Sequence, residues 1–168
     1  MKKRADGNGF KAGGFGATPA DELPTPIPRH IIRYCVAAGN KASGFYADHQ
    51  PGGSDWTNNS AYRNGANYNM LCRLADNVTE IDGYGHKLVN NLSFGSRNEI
   101  VKFDASKSQA SGNTFTTGPK PTERDFVNLD EKELTLPRQP NGDLPAIGFL
   151  HLGPTSPLAN QRIGAFFK

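Results

Sequence analysis

Apolar residues along this chain come in short alternating runs, with almost no stripe of period 3.6. The segment "RHIIRYCVAA", residues 29–38, sets Ile32, Tyr34 and Val36 on one side and Ile31, Arg33 and Cys35 on the other. That pattern predicts a strand with one mostly apolar face. "YNMLCRLA" at 68–75 predicts another, and "NVTEIDGYG" a short strand from Val78 to Ile81. Asp82-Gly83 after it reads as a hairpin turn. "HKLVNNLSF" at 86–94 and "NEIVKFD" at 98–104 predict two more strands, with Ile100 facing away from Val101 and Phe103. "KELTLP" fits a short edge strand that stops at Pro137, and "AIGFLHLG" at 146–153 is the most apolar strand candidate. Thr122 and Asp125 form a weak capping pattern for one helical turn over 123–129.

Between these runs lie long polar stretches at 39–67 and 105–122, rich in Gly, Pro, Asn and Ser. No repeat of fixed period stands out. Seven or eight short strands divided by such loops predict an all-β domain, an antiparallel sandwich or barrel with jelly-roll topology among the options. The domain is expected over 29–168, ending in an extended C-terminal segment. Residues 1–28 read as a flexible, basic, Gly/Pro-rich arm.

Composition sharpens this picture. Leu, Ile, Val and Phe number 34 of 168 residues, at the lower border for a self-sufficient core. The net charge is +3, and all of it sits on residues 1–20 of the arm, where Lys2, Lys3, Arg4 and Lys11 face Asp6 alone. These four are candidate anion contacts, and a neutral body leaves nucleic acid to the arm only. No apolar run reaches the length of a membrane span, and the opening residues show no apolar signal region, so cytoplasmic synthesis is expected. The two cysteines, Cys35 and Cys72, sit in apolar surroundings and read as free thiols.

Chemistry is hard to find. His30, His49, His86 and His151 are scattered and do not mark a metal site. Asp48-His49 lacks the nucleophile elbow a hydrolase triad would need. The glycines of "GNGFKAGGFG" lack the strand, helix and Lys-Ser/Thr of a phosphate loop. No catalytic residue, cofactor or metal is expected on these grounds. An enzyme would require three of His30, His49, His86, Asp48 and Asp104 to meet in one pocket.

The densest unusual stretch is "SDWTNNSAYRNGANYN", residues 54–69. Trp56, Tyr62, Arg63 and Tyr68 among five Asn suit a partner or ligand loop. Phe10 and Phe15 on the arm, with Phe166 and Phe167 at the far end, read as anchors for neighbouring subunits. Together these features predict a non-enzymatic structural subunit of a multi-subunit particle: a phage or virus capsid, decoration or tail-associated protein. Its partners would be other protein subunits and its location the virion. The alternative is a β-barrel or sandwich module that binds a glycan or single-stranded nucleic acid through 54–69.

Overall fold

The computed structural model of the chain describes residues 6–116 and 120–166. It is all-β, as expected, but its strands are short and almost all parallel. Thirteen strands are formed: β1 Phe10–Lys11, β2 His30–Arg33, β3 Val36–Ala38, β4 Ser43–Tyr46, β5 Ser54–Thr57, β6 Ser60–Tyr62, β7 Ala66–Asn69, β8 Cys72–Arg73, β9 Glu80–Ile81, β10 Lys87–Val89, β11 Leu92–Phe94, β12 Ile100–Val101 and β13 Gln109–Ser111. Three parallel sheets hold eleven of them: sheet A in the order β1-β4-β7-β12, sheet B β13-β10-β5-β2 and sheet C β11-β6-β3. Among the strands of the described residues, only β8 and β9 pair antiparallel.

The chain therefore visits B, C and A in turn, then repeats one level up. β2, β3 and β4 make one coil, β5, β6 and β7 the next, and β10, β11 and β12 the third. This is a parallel β-helix, and the expected antiparallel sandwich or barrel is overturned. The single run predicted at 29–38 is two strands with a corner at Tyr34, and 86–94 is two with a corner at Asn90. The polar stretch 39–67 holds four strand segments instead of a loop. Asp82-Gly83 closes no hairpin, because the turn joining β8 to β9 lies before it, and Gly83 bridges in parallel to Phe103. "KELTLP" forms a 3-10 turn over Glu131–Thr135, and 146–153 makes only isolated bridges. The Thr122–Asp125 capping box does form, on a 3-10 turn at Glu123–Asp125.

The corners explain the asparagines. Tyr34, Asn58, Asn90 and Gly112 occupy the same B-to-C corner in successive coils, and all are left-handed, with φ between 51° and 64°. Asn and Gly tolerate that conformation better than other residues. The residue that follows turns its side chain inward. Asn59 Oδ1 accepts from Cys35 N at 3.1 Å, Asn91 Oδ1 from Asn59 N at 3.0 Å, and Asn113 Oδ1 from Asn91 N at 2.9 Å. The amides also bond one another, Asn59 Nδ2 to Asn91 Oδ1 at 3.0 Å and Asn91 Nδ2 to Asn113 Oδ1 at 2.8 Å. Backbone groups that a corner leaves without ladder partners are thus satisfied inside the coil. Steps along this ladder are 24, 32 and 22 residues in sequence. The long step is the coil that carries the β8–β9 hairpin.

The lumen is filled by stacked rings and aliphatics. Phe10 stacks on Phe45 at 5.0 Å, Phe45 on Tyr68 at 5.1 Å, and Trp56 meets Phe45 edge-on at 6.1 Å. Trp56, Phe45, Tyr68, Met70 and Leu88 are fully buried there. A second core lies outside sheet C. Residues 120–166 fold over that sheet and pack Phe126, Phe149, Leu150, Leu158 and Ile163 against Tyr62 and Leu92. Asn58 Nδ2 donates to Arg162 O at 2.5 Å and Ser60 Oγ accepts from Ala165 N at 2.9 Å, which fasten this segment to β6 and its corner.

Candidate functional site

With sheet C covered and the lumen filled, the outer face of sheet A is where side chains gather. In each strand one residue points in and the next out. Phe10, Phe45, Tyr68 and Ile100 point into the lumen, so Lys11, Tyr46, Asn69 and Val101 face outward in a row. Lys11 Nζ lies 3.3 Å from Asp48 Oδ1 and 3.9 Å from Asp6 Oδ2, and 5.8 Å from the centre of the Tyr46 ring. Tyr46 Oη lies 3.3 Å from His49 Nε2, and the two rings meet edge-on.

The backbone that presents this group is unusual. Asp48 and His49 are consecutive non-glycine residues in the left-handed region, at φ 51° and 64°. Such strain costs roughly 1–3 kcal/mol per residue and collects at functional sites. The surroundings hold it in place. His49 N donates to Leu71 O at 3.1 Å, and Gly13 and Gly16 press against the pair so closely that a Cβ at either would overlap Asp48 O or the His49 Cβ. Burial lowers the His49 pKa, with Arg73 and Lys11 adding to the fall and Asp48 opposing it. Burial also raises the Tyr46 pKa, helped by Asp48. At neutral pH the imidazole and the phenol are therefore both uncharged. His49 Nδ1 is buried with no hydrogen-bond partner.

Next along the axis, Arg73 Nη2 bonds Glu80 Oε1 at 3.0 Å across the β8–β9 hairpin, and Lys102 Nζ bonds Glu80 Oε2 at 2.7 Å. Charge thus continues along the face beyond His49.

The residues singled out from the sequence are scattered by this fold. Trp56 and Tyr68 are fully buried in the lumen and Tyr62 lies under the C-terminal segment, so they form no ligand loop. Arg63 is exposed, lies over the Tyr62 ring at 5.8 Å and pairs with Glu131 at 3.8 Å. Phe10 anchors its own lumen, and Phe166 stacks on His151 of the same chain at 4.3 Å. Phe15 is half-buried beside Arg73 and Tyr84. Lys2, Lys3, Arg4 and Phe167 lie outside the described residues. Lys11, the candidate anion contact among the described residues, enters the outer-face group, because β1 pairs with β4 and is no free arm. Cys35 and Cys72 are free thiols, and burial raises both pKa values. No three of His30, His49, His86, Asp48 and Asp104 converge, and among the described residues no three His, Cys, Asp or Glu side chains are grouped to hold a metal ion. The sequence reading missed Tyr46 altogether.

Comparison with known proteins bears on this site. Residues 1–91 match the family described as the Pel9A-like right-handed β-helix region. Pectate lyase L of Dickeya dadantii (strain 3937) is 34% identical over 155 residues, covering 92% of this chain and 32% of that protein. Pectate lyase PEL9 of Emericella nidulans is 29% identical over 163 residues, covering 95% of this chain and 34% of that protein. Among solved structures, a rhamnogalacturonan lyase superposes with a TM-score of 0.84 at 42% identity, covering 96% of this chain and 40% of that one. Pectate lyase Pel9A superposes with a TM-score of 0.76 at 29% identity, covering 98% and 40%. The chain spans about a third of the length of the curated relatives it matches.

Proposed function

Because this chain belongs to the Pel9A-like right-handed β-helix family, we propose that it is part of a lyase that cleaves a galacturonate-containing polysaccharide by elimination. The relatives are polysaccharide lyases, and that overturns the expectation of a non-enzymatic virion subunit. The capsid and tail partners and the virion or cytoplasmic location fall with it. The partner is instead an anionic polysaccharide, met outside the cell. Binding of a glycan or single strand through 54–69 falls as well, since those aromatics are buried.

The observation that carries the reading is the Lys11, Tyr46, Asp48 and His49 group on the outer face of sheet A. Elimination next to a carboxylate needs a base that takes the proton from the carbon bearing it. The bond from the neighbouring carbon to the glycosidic oxygen then breaks, a carbon–carbon double bond forms, and the leaving oxygen takes a proton. Tyr46 stays a neutral phenol, and the nitrogens of His49 are bonded to Tyr46 or buried. Lys11 has its terminal nitrogen at the open surface, held by two carboxylates that solvent screens. In this reading Lys11 removes the proton, and Asp48 and the Tyr46 ring aim its amine.

The test is release of the unsaturated product from polygalacturonate, followed by its ultraviolet absorbance. Lys11→Ala is expected to lose roughly 10²–10⁴-fold in kcat. Lys11→Arg keeps the charge but cannot give up its proton, so it should be equally poor. An active Lys11→Arg variant would overturn the role of Lys11 as base, and a wild-type chain that yields no unsaturated product would overturn the reading for this chain.

A further inference from the structure

We infer that the groove between the segment following β1 and the β8–β9 hairpin is a subsite for a uronate ring, with Arg73 holding its carboxylate. The inference rests on the galacturonate-polymer reading above. The groove encloses about 290 Å³ and is lined by Phe15, Thr18, Leu23, Arg73, Leu74 and Tyr84, among others. That volume lies near the lower end for small-ligand sites. Phe15 and Tyr84 give it the aromatic walls on which the apolar face of a sugar ring rests.

Arg73 is the only charged side chain among the lining residues. Its Nη2 is engaged by Glu80, and Nη1 has only a long contact of 3.5 Å to Asn77 O. Its Nε is buried without any partner. A buried donor with no acceptor is unfavourable by roughly 1–3 kcal/mol, so this guanidinium, part of the groove wall, keeps hydrogen-bonding capacity for an acceptor brought to the groove. A carboxylate suits it, since the guanidinium fork binds carboxylates through paired N–H groups.

The groove adjoins the Lys11 group across Gly16. Gly16, in its wall, packs directly on the His49 side chain, and the charge of Arg73 contributes to the pKa shifts of both His49 and Tyr46. One polymer lying along the axis would place one ring at Lys11 and a nearby ring in this groove. The hairpin that lengthens the second coil is thus the element that supplies the subsite.

Calorimetric titration with trigalacturonate and with its fully methyl-esterified form tests this, in the Lys11→Ala background so that no turnover accompanies binding. The acid is expected to bind more tightly than the ester. Arg73→Gln should weaken the acid roughly ten- to hundredfold and leave the ester within about twofold. Arg73→Lys, which retains the charge and the Glu80 ion pair, should lose most of the same increment because it lacks the fork. Glu80→Gln, which releases the guanidinium, should tighten the acid. If Arg73→Lys binds the acid as its parent does, or Arg73→Gln weakens acid and ester alike, the subsite is overturned. Failure of the parent to bind either sugar overturns it too. Product formation by the wild type reports on the lyase reading separately: Arg73-dependent binding without product would sink the lyase and spare the subsite.

Discussion

His86 shows at the scale of one residue how the lumen constrains chemistry. Its Nδ1 accepts from Ser54 N at 3.0 Å and faces Trp56 Nε1 at 3.5 Å, so the ring proton sits on Nε2. Nε2 is buried with no partner. Burial pushes the pKa down to about 4, and Arg29 adds to the fall. The unfolded chain, with an ordinary histidine, binds this proton more readily than the folded one between those values. Stability is therefore full above about pH 6.5 and declines as pH falls toward 4, by at most about 3 kcal/mol. Urea midpoints measured from pH 7 to 4 should drop across that window, and His86→Gln should flatten the drop. A histidine in a lumen is no ligand, and its sequence neighbourhood, "GYGHKLV", carried no sign of that.

At the scale of the element, the asparagine ladder is the part whose removal should be felt most. Asn91→Ala takes the acceptor from Asn59 N and the donor from Trp56 O, which lies 2.8 Å from Asn91 Nδ2. Two buried backbone groups lose their partners, so a loss of about 2–4 kcal/mol is expected, read as a lower urea midpoint. The sequence did carry this ladder, in "NNSAY", "NNLSF" and "GNTF", each a left-handed residue and then an asparagine, with a strand following in the first two. The unequal steps between them hid the repeat from any search for a constant period. The alternation of apolar residues was legible, and with it the all-β class. The corners inside 29–38 and 86–94 were not, because one left-handed residue turns the chain while the alternation runs on. The site was legible only in pieces. Lys11 looked like part of a basic arm and Asp48-His49 like an accident of composition. What joins them is the register of β1 on β4, set by Phe10 stacking on Phe45 across 35 positions.

For the molecule as a whole, the second core outside sheet C is the decisive addition to a thin first one. Val36, Tyr62, Leu92 and Phe94 are covered by residues 120–166. Ending the chain after Thr116 would bare them as a contiguous apolar face on a sheet with open edges. Such a variant is expected to melt at a lower temperature and to scatter light as oligomers at concentrations where the full chain does not. This segment covers, from within the chain, a face that the sparse composition led one to expect neighbouring subunits to cover.

The coil steps of 24, 32 and 22 residues have a further consequence. Along the axis, strands stand about 4.8 Å apart whatever length of chain joins them. The outer face of sheet A is therefore a ruler whose marks are set by hydrogen bonding and not by sequence distance. Lys11, Tyr46, Asn69 and Val101 are adjacent marks on it. Chain can be inserted at a corner, as the β8–β9 hairpin is, and furnish a new wall beside the ruler without moving a mark. A polymer of regular repeat can be read along such a surface even as the loops around it are rewritten.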